Sequence, residues 1–385
     1  MNFNVLIALF FGMSMGLNFQ ITKQYKIFGI LFIFLPTYYT VKAQSVSETN
    51  TTQYLKTLIK ADSIPGMAMA VIKNGKVKSI AYSGYANLEQ SVPVSAKSVF
   101  QIASVTKQFT AVCIMLLVKQ RKINLQERVS AYLPDAPSSW HDIKINNLLT
   151  HTSGLINYED IPGFEEKAYL DSAHSVVVNS VLHSLYLQKL RFQPNEKWEY
   201  CNSNYFVLGA IIEKVIHGSY EQFLKENVLK PLHMNSTTIN EMYRIVPHRV
   251  SGYTTLNHHI INAERLGMDW FFAEGNIITT LNDLVKWVQS FDNYQILTQK
   301  TVSAMFTPPV LNDANSGGYG YGWFIDKSDK KIVYHSGHTP GFSVLVFNDT
   351  AKKISIVLLM NNGDIKTDTL LKIARRIEKS INLKN

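Results

Sequence analysis

One stretch of the chain, Phe100–Leu117, predicts a helix that is apolar on nearly every side. A helix of this kind is stable only when the rest of the chain surrounds it. The 385 residues, 46% of them hydrophobic, are enough to form so large a core. Ser104 stands at the amino end of this helix, and Lys107 follows one turn later on the same face.

The pairing of Ser104 with Lys107 suits nucleophilic catalysis. The free amides and the dipole at the amino end of a helix favour negative charge there. A serine is a weak nucleophile until a neighbouring base takes its proton, and a desolvated lysine can do so. We therefore predict that Ser104 is an acylated nucleophile and Lys107 its proton partner. The same spacing recurs at Ser328–Lys331, in a polar run typical of a solvated turn, so the buried helix is what distinguishes Ser104.

A second polar group is Tyr200-Cys201-Asn202. In an extended segment Tyr200 and Asn202 point the same way. A tyrosine near the lysine can relay a proton, with its phenolate favoured by the ammonium, and an asparagine amide can hold a substrate carbonyl or amide. A buried aromatic residue beside a turn-forming asparagine has the same pattern, and Tyr85-Ala86-Asn87 repeats the spacing. Both interpretations stay open at this point.

The third group is His335-Ser336-Gly337-His338, which we expect between the end of one strand and the start of the next. A glycine at a strand edge lets a substrate backbone come close and form ladder-type hydrogen bonds. By itself the group also fits a turn that contains a histidine.

The cysteines and histidines predict no metal centre. There is no C-x-x-C or H-E-x-x-H spacing, and His258-His259 is typical of a loop. Cys113 lies inside the apolar helix and Cys201 stands between Tyr200 and Asn202, and both are typical of small core residues, which favours two buried thiols over a disulfide.

Residues 1–43 differ in kind from the rest of the chain. They hold three lysines, no acidic residue and two apolar runs, each short for a membrane span. Val41-Lys42-Ala43 resembles a cleavage signal. We interpret 1–43 as a signal peptide, which predicts a periplasmic or secreted protein, with an uncleaved membrane anchor as the alternative. Residues 44–385 are then the folded domain.

The charge pattern argues against nucleic acid as a partner. Without the three lysines of 1–43 the net charge falls from +9 to +6, and the basic residues are scattered rather than clustered. A mildly cationic surface suits association with an anionic cell envelope. We expect a small-molecule or peptide substrate, and the sequence does not predict an oligomeric state.

The order of predicted elements indicates an α+β fold. Asn74-Gly75 between two strand-like runs predicts a hairpin of Gly66–Lys73 with Lys76–Tyr85. Residues 160–300 are mostly helical in their periodicity, and strands return near the carboxyl end. We expect one antiparallel sheet built from both ends of the chain, flanked by helices, with an inserted all-helical lobe at roughly 160–300. The later predicted elements are strands at Tyr319–Asp326, Lys331–His335, Phe342–Asn348 and Ile354–Asn361, and a helix at Lys366–Ile381.

Together the three groups resemble the motifs of the serine β-lactamase and penicillin-binding-protein-like superfamily, in which class C β-lactamases, DD-peptidases and esterases are the most similar members. The motifs are Ser-x-x-Lys, Tyr-x-Asn and Lys/His-Thr/Ser-Gly, and the resemblance covers about 53–363. It implies an antiparallel sheet packed by helices, with the active site between the sheet and a helical lobe.

The resemblance also implies roles for individual residues. Ser104 is expected to be the nucleophile, Lys107 with Tyr200 the acid/base pair, and Asn202 a substrate-positioning residue. The strand wall of the site is expected at His335, Ser336 and Gly337. By the same resemblance the oxyanion hole consists of the backbone amides of Ser104 and His338. The reaction is acyl transfer through a Ser104 ester, followed by hydrolysis, without a metal or an organic cofactor.

Two residues depart from the family pattern. The third motif begins with His335 where class C β-lactamases usually have a lysine, so we expect a weaker hold on a substrate carboxylate and a charge that varies with pH. Glu274 stands where many relatives have a glycine pair, and we expect it in a solvated turn rather than at the cleft. The histidine favours an exported peptidase or amidase for D-Ala-D-Ala or D-amino-acid substrates. An esterase, a class C-like β-lactamase and a penicillin-binding sensor with slow turnover are the alternatives.

Overall fold

The computed structural model describes residues 64–164, 173–241 and 243–382. The predicted signal peptide, 1–43, lies outside the described residues. The described strands are β1 (Gly66–Lys73), β2 (Lys76–Asn87), β3 (Val92–Pro93), β4 (Val99–Gln101), β5 (Thr238–Ile239), β6 (Tyr253–Leu256), β7 (His259–Asn262), β8 (Ile277–Thr280), β9 (Phe324–Ile325), β10 (Ile332–Thr339), β11 (Phe342–Asp349) and β12 (Ile354–Met360).

Seven of these strands form one antiparallel sheet in the order β3-β2-β1-β12-β11-β10-β9. The two ends of the chain meet at its centre, where Met67 of β1 lies opposite Met360 of β12. Asn74 and Gly75 both adopt positive φ angles, 53° and 69°, as the tight turn between β1 and β2 requires. The predicted hairpin and the sheet assembled from both ends are therefore confirmed.

The described helices pack on both faces of this sheet. They are α1 (Thr106–Lys119), α2 (Ile145–Leu149), α3 (His174–Tyr186), α4 (Asn202–Ile216), α5 (Tyr220–Leu224), α6 (Phe272–Gly275), α7 (Leu281–Asp292), α8 (Gln299–Met305) and α9 (Thr367–Asn382). Shorter 3₁₀ turns occur at Ala103–Val105, Val129–Ala131, Ser138–Trp140, Tyr158–Asp160 and Met268–Phe271, and a π turn at Lys225–Leu229.

Strand β1 shows how the sheet divides the core. Its even-numbered side chains, such as Ala68 and Ile72, join a large cluster with the helices of the long central region. Its odd-numbered side chains, such as Met67 and Val71, join a smaller cluster with α9. Every residue of α1 from Thr106 to Leu117 is buried in the larger cluster or beside it, as the all-round apolar pattern predicts. The α+β fold class is confirmed.

Three details of the predicted elements need correction. The strand expected at Tyr319–Asp326 is reduced to β9, because the preceding run is rich in glycine and turns back on itself. The His335–His338 group lies inside β10 rather than between two strands. The range 160–300 consists mainly of helices but also contains β5 to β8, of which β8 pairs with β4. Within the part of the chain that the structure describes, no helix has the length and apolarity to cross a membrane.

Candidate active site

Ser104 lies in the turn Ala103–Val105, directly before α1. Ala103 has φ of 46°, in the left-handed region that non-glycine residues rarely adopt. Such strain, of the order of 1–3 kcal/mol, is commonly found at functional sites. The Nζ atom of Lys107 lies 3.1 Å from Oγ of Ser104. The structure therefore brings together the two groups that the helical spacing predicts.

Lys107 is fully buried and has three hydrogen-bond acceptors. They are Oγ of Ser104 at 3.1 Å, the carbonyl oxygen of Glu274 at 3.0 Å and its carboxylate Oε2 at 2.5 Å. An ammonium carries three N–H groups, so each proton has a partner. Burial opposes the charge on Lys107, but the Glu274 carboxylate and Tyr200 outweigh it, and the pKa of Lys107 is raised. Desolvation alone does not make Lys107 a ready base at rest, because a buried carboxylate compensates its charge, and its role as the proton partner of Ser104 stays a prediction.

Glu274 is also placed differently from the expectation. It is 1% exposed, in α6, rather than in a solvated turn. The hydroxyl of Tyr158 donates to its Oε1 at 3.0 Å, and Lys107 holds Oε2. Burial raises the pKa of Glu274 to about 7, an increase that Lys107 limits. Phe272, two residues earlier, has φ of 27° and ψ of −130°, so a second strained residue stands next to the site.

Tyr200 lies over the Ser104–Lys107 pair. The centre of its ring is 5.1 Å from Nζ of Lys107, and the ring stacks on Phe324 at 5.5 Å. Burial raises the pKa of Tyr200, while Lys107 and the Ser104 hydroxyl lower it by a smaller amount. The ammonium of Lys107 favours the phenolate, as expected, but burial raises the pKa of Tyr200 by more than the ammonium lowers it. Tyr200 is thus a neutral phenol in the resting protein.

Asn202 is the first residue of α4, two residues after Tyr200, and its side-chain and backbone N–H groups donate to the segment 157–159. Its Nδ2 donates to Oε2 of Glu159 at 2.8 Å, and its backbone N–H donates to Oδ1 of Asn157 at 3.0 Å. Its Oδ1 is buried without a hydrogen-bond partner among the described residues. An unpaired buried acceptor is costly, which points to a ligand donor at this position. No motif pointed to Glu159, whose carboxylate orients this amide.

Gly337 brings β10 against the turn that carries Ser104. A Cβ atom at residue 337 would collide with the carbonyl oxygen of Ile102 and press on Ala103. Only glycine lets the strand and the turn approach so closely.

The backbone of β10 offers polar groups to the cleft. The carbonyl of Ile332 accepts from Asp326 on the β9 side, so alternate residues beyond it direct their N–H and C=O groups to the same edge. Strand β9 pairs only with Val333 and Tyr334. The edge at Ser336 and His338 is therefore not covered by β9, and the His338 amide points into the cleft.

The side chains of Ser336 and His338 lie on the face of the sheet that packs against α9, away from the turn that carries Ser104. Oγ of Ser336 lies 2.9 Å from Oγ1 of Thr367, and Nε2 of His338 lies 2.9 Å from the carbonyl oxygen of Ile365. These two residues can contribute only backbone groups to the cleft.

His335 is fully buried, and both of its ring nitrogens are engaged. Nδ1 lies 2.6 Å from the carbonyl oxygen of Ser336, and Nε2 lies 2.7 Å from the hydroxyl of Tyr319. Because a carbonyl only accepts, Nδ1 carries the proton and Nε2 accepts from Tyr319. Burial, and then Lys107, lower the pKa of His335 to about 3. The expectation of a charge that varies with pH is wrong, because His335 stays neutral over the physiological range.

His151 belongs to the site although the motif reasoning missed its role. Its backbone has φ of 56°, and Nδ1 accepts from the backbone N–H of Cys201 at 3.2 Å and from Nδ2 of Asn204 at 3.0 Å. Its ring lies 4.5 Å from that of Tyr200. Burial, and then Lys107, hold the pKa of His151 well below its usual range. His151 thus positions the segment that carries Tyr200.

Cys113 and Cys201 are both buried with free thiols, in agreement with the prediction. Among the described residues, no group of three or more histidine, cysteine or acidic side chains is arranged to hold a metal ion.

The fold and this buried Ser-x-x-Lys arrangement define the class of serine hydrolases that act from the edge of an antiparallel sheet. A family model described as Beta-lactamase matches residues 51–377, and the chain therefore belongs to the β-lactamase family.

Two curated relatives extend beyond this chain. Protein flp of Staphylococcus aureus (strain NCTC 8325 / PS 47) is 29% identical over 321 residues, which are 80% of this chain and 63% of that protein. Penicillin-binding protein 4* of Bacillus subtilis (strain 168) is 30% identical over 299 residues, 73% of this chain and 64% of that protein. The chain thus spans less than two thirds of either relative.

Solved structures share the fold. The D-amino acid amidase from Ochrobactrum anthropi SV3 has a TM-score of 0.75 at 22% identity, covering 88% of this chain and 100% of that one. The octameric penicillin-binding protein homologue from Pyrococcus abyssi has a TM-score of 0.70 at 24% identity, covering 82% of this chain and 74% of that one. At such identities the likeness concerns the fold alone.

Proposed function

We propose that this protein is a serine hydrolase that cleaves amide bonds of D-Ala-D-Ala or D-amino-acid substrates through an ester on Ser104. The observation that carries the proposal is the arrangement of hydrogen-bonding groups around Ser104. The edge of β10 that β9 leaves uncovered offers the His338 amide and the backbone of Ser336, whose carbonyl also accepts from His335, and Asn202 has a buried carbonyl oxygen without a partner among the described residues. Amide substrates supply both donors and acceptors for such groups, whereas simple esters lack the N–H donors.

In this proposal Oγ of Ser104 attacks the carbonyl carbon while Lys107 and Tyr200 transfer protons. The amides of Ser104 and His338 stabilise the oxyanion, and removal of one such donor typically costs about 100–1,000-fold in rate. Tyr200 is neutral at rest and lies above Lys107, which suits it to protonate the leaving amine. Water then hydrolyses the Ser104 ester by the same groups in reverse.

The neutral state of His335 argues against an efficient β-lactamase, and between the two proposed amide substrates it favours D-amino-acid amides over peptides with a free D-Ala-D-Ala carboxylate. An ammonium at this position would attract a substrate carboxylate, whereas an imidazole with both nitrogens engaged offers it nothing. The similarity in fold to a D-amino acid amidase is consistent with this choice.

The test is hydrolysis of D-Ala-D-Ala peptides and D-amino-acid amides, beside p-nitrophenyl esters and a penicillin followed by intact mass. Ser104→Ala should abolish every hydrolysis that the protein performs. Ser328→Ala is the matched control, because it removes the serine of the other Ser-x-x-Lys sequence at a turn where Oγ bonds Asp326. Hydrolysis that survives in Ser104→Ala would contradict the mechanism. Cleavage of esters alone, or of penicillin alone, would show that the protein is an esterase or a β-lactamase rather than an amidase.

We also propose that the protein is exported and that residues 1–43 are its signal peptide, as their composition and the A-x-A-like sequence at 41–43 support. The mass of the mature protein recovered from a secreting host tests this proposal. A mass that retains residues 1–43 would favour the membrane anchor.

A further inference from the structure

Lys107 is protonated at rest, which bears on how Ser104 loses its proton. The ammonium has acceptors for all three of its N–H groups, at Ser104, at the Glu274 carbonyl and at the Glu274 carboxylate. A lysine in this state cannot accept the Ser104 proton unless it first gives one away. Of its three acceptors, only the carboxylate Oε2, at 2.5 Å, can hold a proton stably.

We propose that Glu274 acts through Lys107, taking a proton from Nζ each time Ser104 attacks and returning it when the leaving group departs. This inference rests on the proposed acyl-enzyme function. As the Ser104 Oγ–carbon bond forms, one Nζ–H bond of Lys107 breaks and an O–H bond forms on Glu274. The amine then takes the proton of Ser104, so that the new negative charge resides on the substrate oxyanion.

The second half of the cycle restores the starting state. Tyr200 gives its proton to the leaving amine as the carbon–nitrogen bond breaks. Lys107 then re-protonates Tyr200, and Glu274 returns its proton to Lys107. The ammonium and the carboxylate are recovered, and water repeats the sequence in hydrolysis of the ester.

The groups that face Glu274 leave it as the one that exchanges a proton near neutral pH. They are Lys107 of α1, Tyr158 and Glu159 of the 158–160 turn, Tyr200, and Tyr319 ahead of β9. The pKa values of Lys107, Tyr158, Tyr200 and Tyr319 are all raised, so these groups keep their protons. The pKa of Glu274 is about 7, raised by burial and by Glu159 but limited by Lys107 and by the hydroxyl of Tyr158.

The test is the pH dependence of kcat for Ser104-dependent hydrolysis. In the unchanged protein kcat should rise with pH through a single acid limb near pH 7, as Glu274 becomes the carboxylate. Glu274→Gln should lower kcat at least tenfold, leave KM within threefold and abolish that limb. Glu274→Asp, which keeps an ionisable group, should restore the limb. Tyr158→Phe should move the limb to higher pH, because a hydrogen bond that favours the carboxylate is lost.

A purely structural carboxylate would behave differently. Glu274→Gln would then lower thermal stability and kcat while the acid limb stayed in place, and that result would overturn the inference. If Glu274→Gln does not fold, Tyr158→Phe alone decides, since an unmoved limb contradicts the role of Glu274. Loss of all hydrolysis in Ser104→Ala, with an unmoved limb in Tyr158→Phe, would retain the proposed function and reject the relay.

A cavity of about 290 Å³ lies beyond the end of β10. Gln101, Arg249, Arg265 and Thr339 are among its lining residues. Tyr200, the proposed donor to the leaving group, lies by His335 in the middle of β10, whereas Thr339 ends the strand at the cavity. The acyl part of a substrate bound along β10 should therefore extend towards this cavity.

Two arginines, Arg249 and Arg265, and one carboxylate, Glu264, line the cavity, so its lining has a net positive charge. The guanidinium of Arg249 bonds neutral acceptors, Oδ1 of Asn240 and the carbonyl oxygen of Arg244 at 2.9 Å. Burial, Arg265 and Arg244 lower the pKa of Arg249. The described ion pairs of this region belong to Arg244, and Glu264 lines the cavity without forming an ion pair there.

A polar side chain at the cavity also lacks a partner. Oγ1 of Thr339 is buried with no hydrogen-bond partner among the described residues. We infer that this cavity binds a carboxylate on the acyl part of the substrate, with Arg249 and Arg265 as its partners and Thr339 as a further donor. A bound carboxylate would neutralise Arg249 and Arg265 and would accept a hydrogen bond from the hydroxyl of Thr339.

The test compares two p-nitrophenyl esters of equal chain length, the glutarate monoester and the pentanoate. Arg265→Gln should lower kcat/KM for the glutarate monoester at least tenfold and change that for the pentanoate less than twofold. Arg128→Gln, at an exposed arginine beside His141, is the control and should change neither. Equal effects of Arg265→Gln on both esters would overturn the inference.

A binding measurement makes this test independent of turnover. Titration of glutarate into Ser104→Ala should give a heat that weakens with salt and is lost when Arg265→Gln is added. If hydrolysis fails but this binding is present, the cavity is retained and the proposed function is rejected. No binding together with no preference between the esters would reject the cavity.

Discussion

The hydroxyl of Tyr319 donates to Nε2 of His335 at 2.7 Å, which fixes the imidazole as an acceptor. Because Nδ1 donates to the carbonyl of Ser336, the ring has no free nitrogen for a ligand. It lies 6.1 Å from the ring of Tyr200. The histidine of the third motif is thus part of the wall that holds Tyr200, and the cleft gains its polar groups from the backbone.

Removal of the Tyr319 hydroxyl should show that Tyr200 depends on His335 for its position. Tyr319→Phe leaves Nε2 of His335 buried without a donor, a loss worth about 1–3 kcal/mol of the free energy of unfolding. The Tm should fall and kcat should drop several-fold, because Tyr200 loses a rigid neighbour. Tyr294→Phe, at an exposed tyrosine, is the control. An unchanged Tm in Tyr319→Phe would show that the hydrogen bond contributes nothing.

The two buried histidines should make the protein sensitive to acid. The pKa values of His335, about 3, and of His151 lie below the ordinary value of 6.5, so the unfolded chain binds more protons than the folded one as the pH falls. The stability that these histidines contribute is therefore present above pH 6.5 and is lost below it, by up to about 1.4 kcal/mol per pH unit for each histidine. The raised pKa of Glu274, about 7, offsets one of these two losses between pH 7 and its ordinary pKa. Urea unfolding between pH 7 and 4 measures the loss, and His335→Gln should reduce its slope.

The contact between Gly337 of β10 and the turn that carries Ser104 predicts the effect of adding a methyl group at residue 337. Gly337→Ala should displace the strand from Ile102 and move the His338 amide away from Ser104. We expect kcat to fall at least a hundredfold, as with the loss of one oxyanion donor. Gly218→Ala, where a Cβ meets only ordinary contacts, should be silent. Equal activities of the two variants would contradict the close approach.

Lys107 and Glu274 should be energetically coupled. Lys107→Met leaves a buried carboxylate without its cation at pH 8, which should destabilise the protein by about 3–5 kcal/mol. The double variant Lys107→Met/Glu274→Gln removes both charges and should recover more than half of that loss while remaining inactive. Urea unfolding of the two single variants and the double variant measures the coupling. Additive losses would mean that the pair does not interact.

The sequence predicted much of the site because its groups follow local rules. A lysine three residues after Ser104 on a helix must share its face, and the Asn74-Gly75 turn between two strand-like runs leads to a hairpin. Glu274 could not be predicted in the same way, since 167 residues separate it from Lys107. Its burial depends on how α6 packs against α1, and a short Ala-Glu-Gly-Asn sequence is equally typical of an exposed turn.

By itself the sequence determined most of the elements that form, that both chain ends build one sheet, and where the three motifs lie. The tertiary structure alone decided the charge state of the groups in those motifs. Burial and long-range partners keep Lys107 charged, Tyr200 neutral and His335 unprotonated. Periodicity follows from contacts between near neighbours, but the free energy of a charge depends on every group and on the water around it. The environment of each charge is set only when distant segments of the chain pack together.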